Sequence, residues 1–166
     1  MNEDGQVIRD KARLVCKGYA QVEGVEYEET FSPMTRLETI KMFLAFSSYK
    51  KFKVYQMDVK STFLNGNLEY EVYIEKLEGF QLTDKGDYFC KLKKALYGIK
   101  QAPRAWYARL DSYLQVQGLK RGSTDNNLYC KIVGDSMIIV EVYVDDIIFG
   151  SDDEKMSKDF VRRMQQ

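Results

Sequence analysis

Three carboxylates stand in apolar surroundings where a globular protein would ordinarily place hydrophobic residues. Asp145 and Asp146 interrupt the run EVYVDDIIFG, and Asp58 lies between Met57 and Val59 near the end of another apolar segment. Acids on neighbouring strands can converge to bind Mg²⁺, and two such ions can activate an attacking hydroxyl and stabilise a leaving oxygen. The alternative is three surface acids at strand ends, and the acids taken singly favour that alternative.

The composition excludes several other kinds of chemistry. The chain of 166 residues has no histidine, which excludes Ser-His-Asp and Cys-His nucleophile systems and histidine-based zinc sites. Cys16, Cys90 and Cys130 are widely spaced and form no CxxC pair, so we expect free thiols and no structural zinc. No apolar run approaches the roughly 20 residues of a membrane span, and the polar N-terminus shows no secretory signal. We therefore expect no membrane partner.

Charge is segregated along the chain although the net charge is zero. The stretch from Lys91 to Arg109 holds basic residues and aromatic rings with no intervening acid, whereas Glu69 to Glu78 holds four acids and a single lysine. Interleaved basic and aromatic residues can contact phosphates and stack on bases. This feature alone favours the simpler interpretation, a solvated helix face with aromatic residues in the core.

Three helices have recognisable ends. The first is predicted from a capping box at Thr35–Glu38 and runs through Phe46. The second is predicted to begin near Pro103 and to end before Gly118. The third is predicted from a capping box at Ser151–Glu154.

The strands are less regular in their order. Six are predicted from apolar, β-branched and aromatic runs: Lys51–Val59, Glu71–Lys76, Asp87–Leu92, Asn127–Val133, Met137–Tyr143 and Asp146–Gly150. The segment Val7–Tyr19 is also predicted to be rich in strand. Strands and helices do not alternate regularly, and no Gly-rich phosphate loop follows a strand. The pattern predicts an α+β fold with a largely antiparallel sheet and packed helices.

The sequence contains four ordered blocks, two of which include the three acids. These are KARLVCKGYAQVEGVEYEETFSPM, QMDVKSTFLNGNL with EVYIEKLEGF, CKLKKALYGIKQAPRAWY, and YVDD after an apolar strand. Together they resemble the reverse transcriptase of copia-type long-terminal-repeat retrotransposons, over a region from about Gly5 to Phe160. A lone YxDD would be weak evidence, but the ordered blocks, above all LYGIKQAPRAWY, are specific.

The resemblance implies a right-hand polymerase fold limited to fingers and palm, with the thumb absent. Residues 1–50 would be mostly fingers, 51–64 the palm strand with the first acid, 65–100 a mixture, and 101–166 a truncated palm with the YVDD hairpin. The whole chain, 1–166, would be a partial reverse transcriptase domain. The rest of a Pol polyprotein, including thumb, ribonuclease H and integrase, is expected to be missing here.

The resemblance also implies roles for particular residues. Asp58, Asp145 and Asp146 would be catalytic, and Asp58, Val59 and Asp145 would bind two Mg²⁺ ions, with Mn²⁺ as an alternative. Phe63 would lie under the incoming sugar and exclude a 2′-hydroxyl. The other nucleotide-binding residues would be Tyr97, Gly98, Lys100, Lys11 and Arg13. Nucleic acid would be contacted by Lys91, Lys93, Lys94, Arg104 and Tyr143.

The implied reaction is attack of a primer 3′-hydroxyl on the α-phosphate of a deoxynucleoside triphosphate, with a DNA primer on an RNA or DNA template. A family member would work in a cytoplasmic virus-like particle, with nuclear entry of its product. Thr62 replaces a small residue, Leu77 replaces a proline, and the chain closes with VRRMQQ. The alternative function is therefore a truncated, non-catalytic retroelement remnant that at most binds nucleic acid or a partner chain. A phospho-acceptor receiver domain is disfavoured because the single acid precedes the acidic pair.

Overall fold

The centre of the fold is a five-stranded antiparallel sheet. The computed structural model describes residues 12–75 and 88–165. The sheet strands are β1 (Lys53–Asp58), β4 (Lys120–Arg121), β5 (Leu128–Val133), β6 (Ser136–Tyr143) and β7 (Asp146–Ser151), in the spatial order β1-β7-β6-β5-β4. Two short strands, β2 (Tyr73–Ile74) and β3 (Cys90–Lys91), form a separate antiparallel pair. The predicted α+β class with a largely antiparallel sheet is confirmed.

One face of the sheet forms the main core. Alternate residues of β6 and β7 point to this face, including Ile138, Val140, Ile147 and Phe149, and all are buried. Two helices cover it, α2 (Ala102–Val116) and α3 (Glu154–Met164). Their contribution to the core is Trp106, Leu110, Leu114 and Phe160. The alternation of side chains along the strands therefore decides which side of the hairpin faces α2 and α3.

Helix α2 ends in a Schellman motif. Gly118 has a φ of 83°, its N–H bonds to the carbonyl of Gln115, and the N–H of Leu119 bonds to the carbonyl of Leu114. The buried side chains of Leu114 and Leu119 accompany these bonds. The helix therefore ends where the sequence predicts.

Helix α3 is capped by a residue other than the one predicted. The carboxylate of Asp153 accepts a 2.8 Å bond from the N–H of Lys155. The hydroxyl of Ser151 instead donates to the carbonyl of Met137, at 2.7 Å. The predicted capping box at Ser151 is therefore wrong, because Ser151 still belongs to β7 and its hydroxyl is used between strands.

The third helix, α1 (Leu37–Tyr49), lies on the second face of the sheet. A Cβ placed on Gly150 of β7 would lie 3.4 Å from the ring of Phe43. The predicted capping box at Thr35 is wrong: no side chain caps this helix, and the Thr35 hydroxyl donates to the backbone carbonyl of Val142 on β6. A tertiary contact thus takes the hydroxyl that local pattern assigns to the helix start.

The N-terminal segment differs most from expectation. Over its described part, residues 12–19, the predicted strand is absent; a short 3₁₀ helix spans Gly18–Ala20, and residues 7–11 lie outside the described ranges. The Cys16 N–H bonds to the carbonyl of Tyr97 at 2.7 Å, so this backbone pairs with a loop instead of a strand. We call residues 12–20 the N-terminal arm.

The other strands lie close to their predicted positions. The predicted Glu71–Lys76 and Asp87–Leu92 shorten to the two-residue strands β2 and β3, and Lys76 and Asp87 fall outside the described residues. The short strand β4 was not predicted.

Candidate functional site

The β6–β7 hairpin and β1 bring two of the three acids onto one face of the sheet. Asp146 is directly opposite Asp58 on β1 and opposite Tyr143 on β6. Residues directly opposite one another in an antiparallel pair have Cα atoms about 4.5–5.5 Å apart and share a face. Asp58 is exposed, and Asp145 and Asp146 are half-buried. The register therefore places Asp58 and Asp146 side by side, with Asp145 next to them in the turn.

The turn itself is only two residues long, Val144 and Asp145, and its geometry is strained. Val144 has a φ of 55°, a region that β-branched residues rarely occupy. The indole N–H of Trp106 donates to the Val144 carbonyl at 2.7 Å, and the Val59 N–H donates to the Asp145 carbonyl at 2.8 Å. Bonds from α2 and from the end of β1 thus hold an otherwise unfavourable turn in one conformation.

The three carboxylates differ in their local partners. The side-chain amide of Gln56 donates to Asp146 at 2.9 Å. The carboxylates of Asp58 and Asp145 make no hydrogen bond or ion pair with other described residues, so their oxygens are available to a ligand. Within residues 12–75 and 88–165, no group of three or more acidic, cysteine or histidine side chains is arranged to hold a metal ion. Two free carboxylates nevertheless fit Mg²⁺, which commonly takes one or two protein carboxylates together with substrate phosphates.

Three of the residues assigned to nucleotide binding meet in an aromatic cluster. The ring of Phe63, on a 3₁₀ turn at Thr62–Asn65, lies 4.9 Å from the ring of Tyr97, measured between centroids. The guanidinium of Arg13 lies 5.8 Å from the centre of the Tyr97 ring. Phe63 also packs against the core and is half-buried. The cluster therefore combines a ring surface with a cation.

The remaining residues of that set are placed differently. Gly98 has a φ of 95°, and a Cβ there would lie 2.0 Å from the Cys16 carbonyl oxygen, so the glycine is required by the N-terminal arm. Lys100 is exposed, and its backbone N–H bonds to the side chain of Gln21 at 2.8 Å. Lys11 lies outside the described residues.

Four of the five residues assigned to nucleic-acid contact are cations, of which two form ion pairs with described residues and two do not. Lys91 pairs with Glu71, and Arg104 lies 2.7 Å from Glu29. The Glu71 carboxylate raises the pKa of Lys91, chiefly through a hydrogen bond. Two further cations, Lys93 and Lys94, are exposed and form no ion pair with any described residue. The fifth residue, Tyr143, is 43% exposed and lies beside Asp146.

The sequence-based prediction gave no role to Glu141, although it was quoted within the acidic run. Glu141 lies on β6, is only 1% exposed, and neither of its carboxylate oxygens has a hydrogen-bond partner among the described residues. Burial, followed by the nearby Asp125 carboxylate, raises the pKa of Glu141 to about 7, against a smaller opposing effect of the Thr35 hydroxyl. Its signal in the sequence was an acid inside the apolar run MIIVEVY.

Comparisons with known proteins give one consistent family. The family model described as reverse transcriptase (RNA-dependent DNA polymerase) matches residues 1–166. The retrovirus-related Pol polyprotein from transposon RE2 of Arabidopsis thaliana is 43% identical over 157 residues, covering 95% of this chain and 11% of that protein. The corresponding protein from transposon RE1 of the same plant is 43% identical, covering 92% of this chain and 10% of that protein.

A third relative comes from tobacco. The retrovirus-related Pol polyprotein from transposon TNT 1-94 of Nicotiana tabacum is 41% identical, covering 93% of this chain and 12% of that protein. The chain thus spans about a tenth of the length of these relatives. No solved structure matches the chain. Among the described helices, none has the length and apolar character needed to cross a membrane.

Proposed function

Since this chain belongs to the reverse transcriptase (RNA-dependent DNA polymerase) family, we propose that it is the polymerase portion of a copia-type retrotransposon Pol polyprotein. It would transfer deoxynucleotides to a primer 3′-hydroxyl on an RNA or DNA template. The observation that carries the proposal is the register of β1 against β7, which sets Asp58 opposite Asp146 beside the strained turn that holds Asp145.

The three acids would divide their roles according to their partners. Asp58 and Asp145, whose carboxylates are free of described partners, would hold Mg²⁺ or Mn²⁺ together with Val59. Asp146, which accepts the bond from Gln56, would contribute negative charge without being a principal ligand. When bound, the ions would stabilise the charge that develops on the transferred phosphoryl group and favour the ionised primer hydroxyl. The lack of histidine is then no obstacle, because no side-chain base is required.

The aromatic cluster would shape the nucleotide pocket. Phe63 follows Asp58 by five residues, and the contact between its ring and that of Tyr97 limits its freedom to move aside. A rigid ring at the sugar would exclude a 2′-hydroxyl by steric contact. Arg13 beside Tyr97, with Lys11, Lys100 and the close backbone at Gly98, would contact the triphosphate.

The elements would then correspond to the parts of a right-hand polymerase. The sheet of β1, β5, β6 and β7 with α2 and α3 would be the palm, and the N-terminal arm would belong to the fingers. The N-terminal arm contacts the loop before α2 through the backbone bond from Cys16 to Tyr97. That contact would carry Arg13 to the pocket.

Primer extension tests the proposal. The purified chain is given a DNA primer annealed to an RNA template, deoxynucleotides and Mg²⁺ or Mn²⁺, beside Asp145→Asn and the matched control Asp135→Asn. Asp135 is an exposed acid in the turn at the opposite end of β6. We expect incorporation by the wild type and by Asp135→Asn, and its loss in Asp145→Asn. A folded wild-type chain that incorporates nothing would contradict the proposed activity and support the non-catalytic remnant.

A further inference from the structure

The buried carboxylate of Glu141 has no role in the proposed chemistry and no bonding partner that would explain it. It lies on β6, the central strand of the sheet, which is paired with β5 on one side and β7 on the other. Leaving a buried polar group without a hydrogen bond lowers stability, and leaving a buried charge unpaired lowers it further. The arrangement is least unfavourable when the carboxyl group is neutral and carries a proton that it can donate.

The described surroundings of Glu141 contain hydroxyl groups and a second carboxylate, but no buried cation. The hydroxyl of Thr35, which precedes α1, lies close to Glu141, and the hydroxyl of Thr39 on α1 donates to Asp125 at 2.6 Å. Asp125 itself precedes β5 and is near enough to interact electrostatically with Glu141. A second carboxylate opposes ionisation of the first.

By strand register the other titratable groups on this face of the sheet are Asp58 on β1, Lys120 on β4, Cys130 on β5, Tyr143 on β6 and Asp146 on β7. Lys120 is the one cation among them, and it is exposed and lies on the edge strand, two strands away from Glu141. The charged residues beside Thr35 at the start of α1, Arg36 and Glu38, are exposed. Nothing described on the neighbouring strands or on α1 therefore offers Glu141 a buried counter-ion.

Glu141 is also linked to the acidic turn through its neighbour in sequence. The Thr35 hydroxyl beside Glu141 donates to the carbonyl of Val142, and the strand then continues through Tyr143 to the turn at Val144 and Asp145. On the far side, Trp106 bonds to the Val144 carbonyl. The start of α1 and the indole of α2 therefore hold the same short length of backbone from opposite faces of the sheet.

We propose that Glu141 is a positioning residue that carries a proton in the folded chain and thereby holds the start of α1 against the strand that leads to Asp145. Loss of the proton would place two carboxylates together under α1, and hydration of the charge would separate Thr35 from Val142. The turn would then be held from one face only. This inference extends the proposed function in what it implies for Asp145, but it concerns the fold and stands without polymerase activity.

The composition of the chain sets the range of pH in which titration of the Glu141 carboxyl group is best followed. Ordinary aspartate and glutamate titrate near pH 4, cysteine near 8.5 and lysine above 10. The chain has no histidine, so no side-chain type that it contains has an ordinary pKa between 5.5 and 7.5, and the ordinary value of the terminal amine lies just above that range. A variant that lacks the carboxyl group at position 141 separates the titration of Glu141 from that of the terminal amine.

The chain also contains its own reporter. Trp106 is the single tryptophan, and its indole N–H is the group bonded to the acidic turn. The experiment follows the Trp106 indole signal by ¹⁵N–¹H NMR from pH 5.5 to 7.5 in the wild type, Glu141→Gln and the control Glu38→Gln, whose acid is exposed on α1. We expect a one-proton titration centred near pH 7 in the wild type and in Glu38→Gln, and a flat profile in Glu141→Gln.

The urea midpoint provides a second readout with a defined sign. Because the pKa of Glu141 is raised on folding, to about 7 from a usual value of 4.5, the protonated form favours the folded chain. Stability should therefore fall as the pH rises from about 4.5 to 7 and level off above it. Between pH 5.5 and 7.5 the wild-type midpoint should decrease, whereas that of Glu141→Gln should not.

Either of two results would overturn the inference: a wild-type profile as flat as that of Glu141→Gln, or the same titration in both chains. If Glu141→Gln does not fold, the wild type decides alone through ¹³C NMR of labelled glutamate side chains. A δ-carbon that titrates near pH 7 supports the proposal, and titration of every glutamate below pH 5.5 contradicts it. Because none of these readouts uses nucleotide incorporation, an inactive but folded chain does not affect their interpretation.

Discussion

At the scale of single residues, Val144 carries the strain of the turn that presents Asp145. Its φ of 55° is costly for a β-branched side chain, by about 1–3 kcal/mol. Glycine would remove that strain, while its greater freedom in the unfolded chain costs about 0.5–1 kcal/mol. Val144 is 45% exposed, so little packing would be lost. We therefore expect Val144→Gly to raise the free energy of unfolding by up to about 2 kcal/mol, measured by urea denaturation.

The matched control for this prediction is Val133→Gly. Val133 ends β5, is 55% exposed, and does not have positive φ. The same change there should lower stability by about 0.5–1 kcal/mol, because no strain is relieved. Equal losses in the two variants would show that Val144 is not strained in solution.

Single residues were predictable where their type alone was informative. Asp58, Asp145 and Asp146 stood out because each is an acid in an apolar run. By contrast, Thr35 was assigned to a helix cap, and its hydroxyl in fact bonds to Val142, 107 residues away. Glu141 was overlooked for a related reason: its burial depends on α1 covering the sheet, which no local pattern reveals.

At the scale of elements, the C-terminus of α2 depends on the left-handed conformation of Gly118. Its φ is 83°, and a Cβ there would meet only the flexible side chain of Lys131, at 3.3 Å. The stability lost on substitution should therefore depend on how well the new residue tolerates a positive φ, and not on steric contact. We expect Gly118→Ala to lower stability by about 1–2 kcal/mol, Gly118→Asn by less, and Gly118→Val by more, in thermal or urea unfolding. A similar loss for Asn and Val would contradict this explanation.

The contact between the N-terminal arm and the loop at Tyr97–Gly98 should be lost by adding a single methyl group. A Cβ on Gly98 would lie 2.0 Å from the Cys16 carbonyl oxygen, and a Cβ on Gly18 would lie 2.0 Å from the Gly98 oxygen. Neither backbone can move aside without breaking the Cys16–Tyr97 bond. We expect Gly98→Ala to detach the arm while the sheet stays folded, because the arm contributes little to the main core.

Amide hydrogen exchange measures this detachment directly. In Gly98→Ala the Cys16 amide should lose its protection, while amides of β6 such as Val140 keep theirs. The control Gly24→Ala also adds a methyl at positive φ, but there it meets nothing within 4 Å. It should leave Cys16 protected. Protection of Cys16 in both variants would show that the two backbones are not in contact in solution.

The predictability of the elements follows from their hydrophobic patterns. Strands β1, β6 and β7 and helices α2 and α3 bury a regular stripe or alternate face, so their positions were predictable to within a few residues. The N-terminal arm lies largely within the segment Val7–Tyr19, which was predicted to be rich in strand. Its described backbone instead bonds to a loop more than 80 residues later in the chain. The close approach of the two backbones requires glycine at positions 18 and 98, and strand propensity does not determine it.

At the scale of the whole molecule, the candidate site sits where both faces of the sheet are restrained. Helix α2 bonds to the turn from the core side through Trp106, and Thr35, just before α1, bonds to β6 from the other side. Strand β1, at the sheet edge, contributes the third restraint through Val59. The acids are therefore positioned by elements distant in sequence, which is why the pattern YVDD predicts their identity but not their geometry.

Affinity for nucleic acid must come from local charge, because the molecule has no net charge. Each phosphate neutralised by a cation contributes about 0.9 to the slope of log affinity against log salt concentration. Lys93 and Lys94 have no described acidic partner, whereas Lys91 is paired with Glu71.

We expect Lys93→Gln with Lys94→Gln to reduce the slope by about 2 and to weaken binding, measured by fluorescence anisotropy of an RNA–DNA hybrid from 50 to 200 mM KCl. The matched control, Lys91→Gln with Glu71→Gln, removes one cation and its partner acid, so the slope should stay as in the wild type. A reduction of about 1 in the control would mean that phosphate displaces Glu71 from Lys91, and that the ion pairs of the free chain do not predict its nucleic-acid contacts.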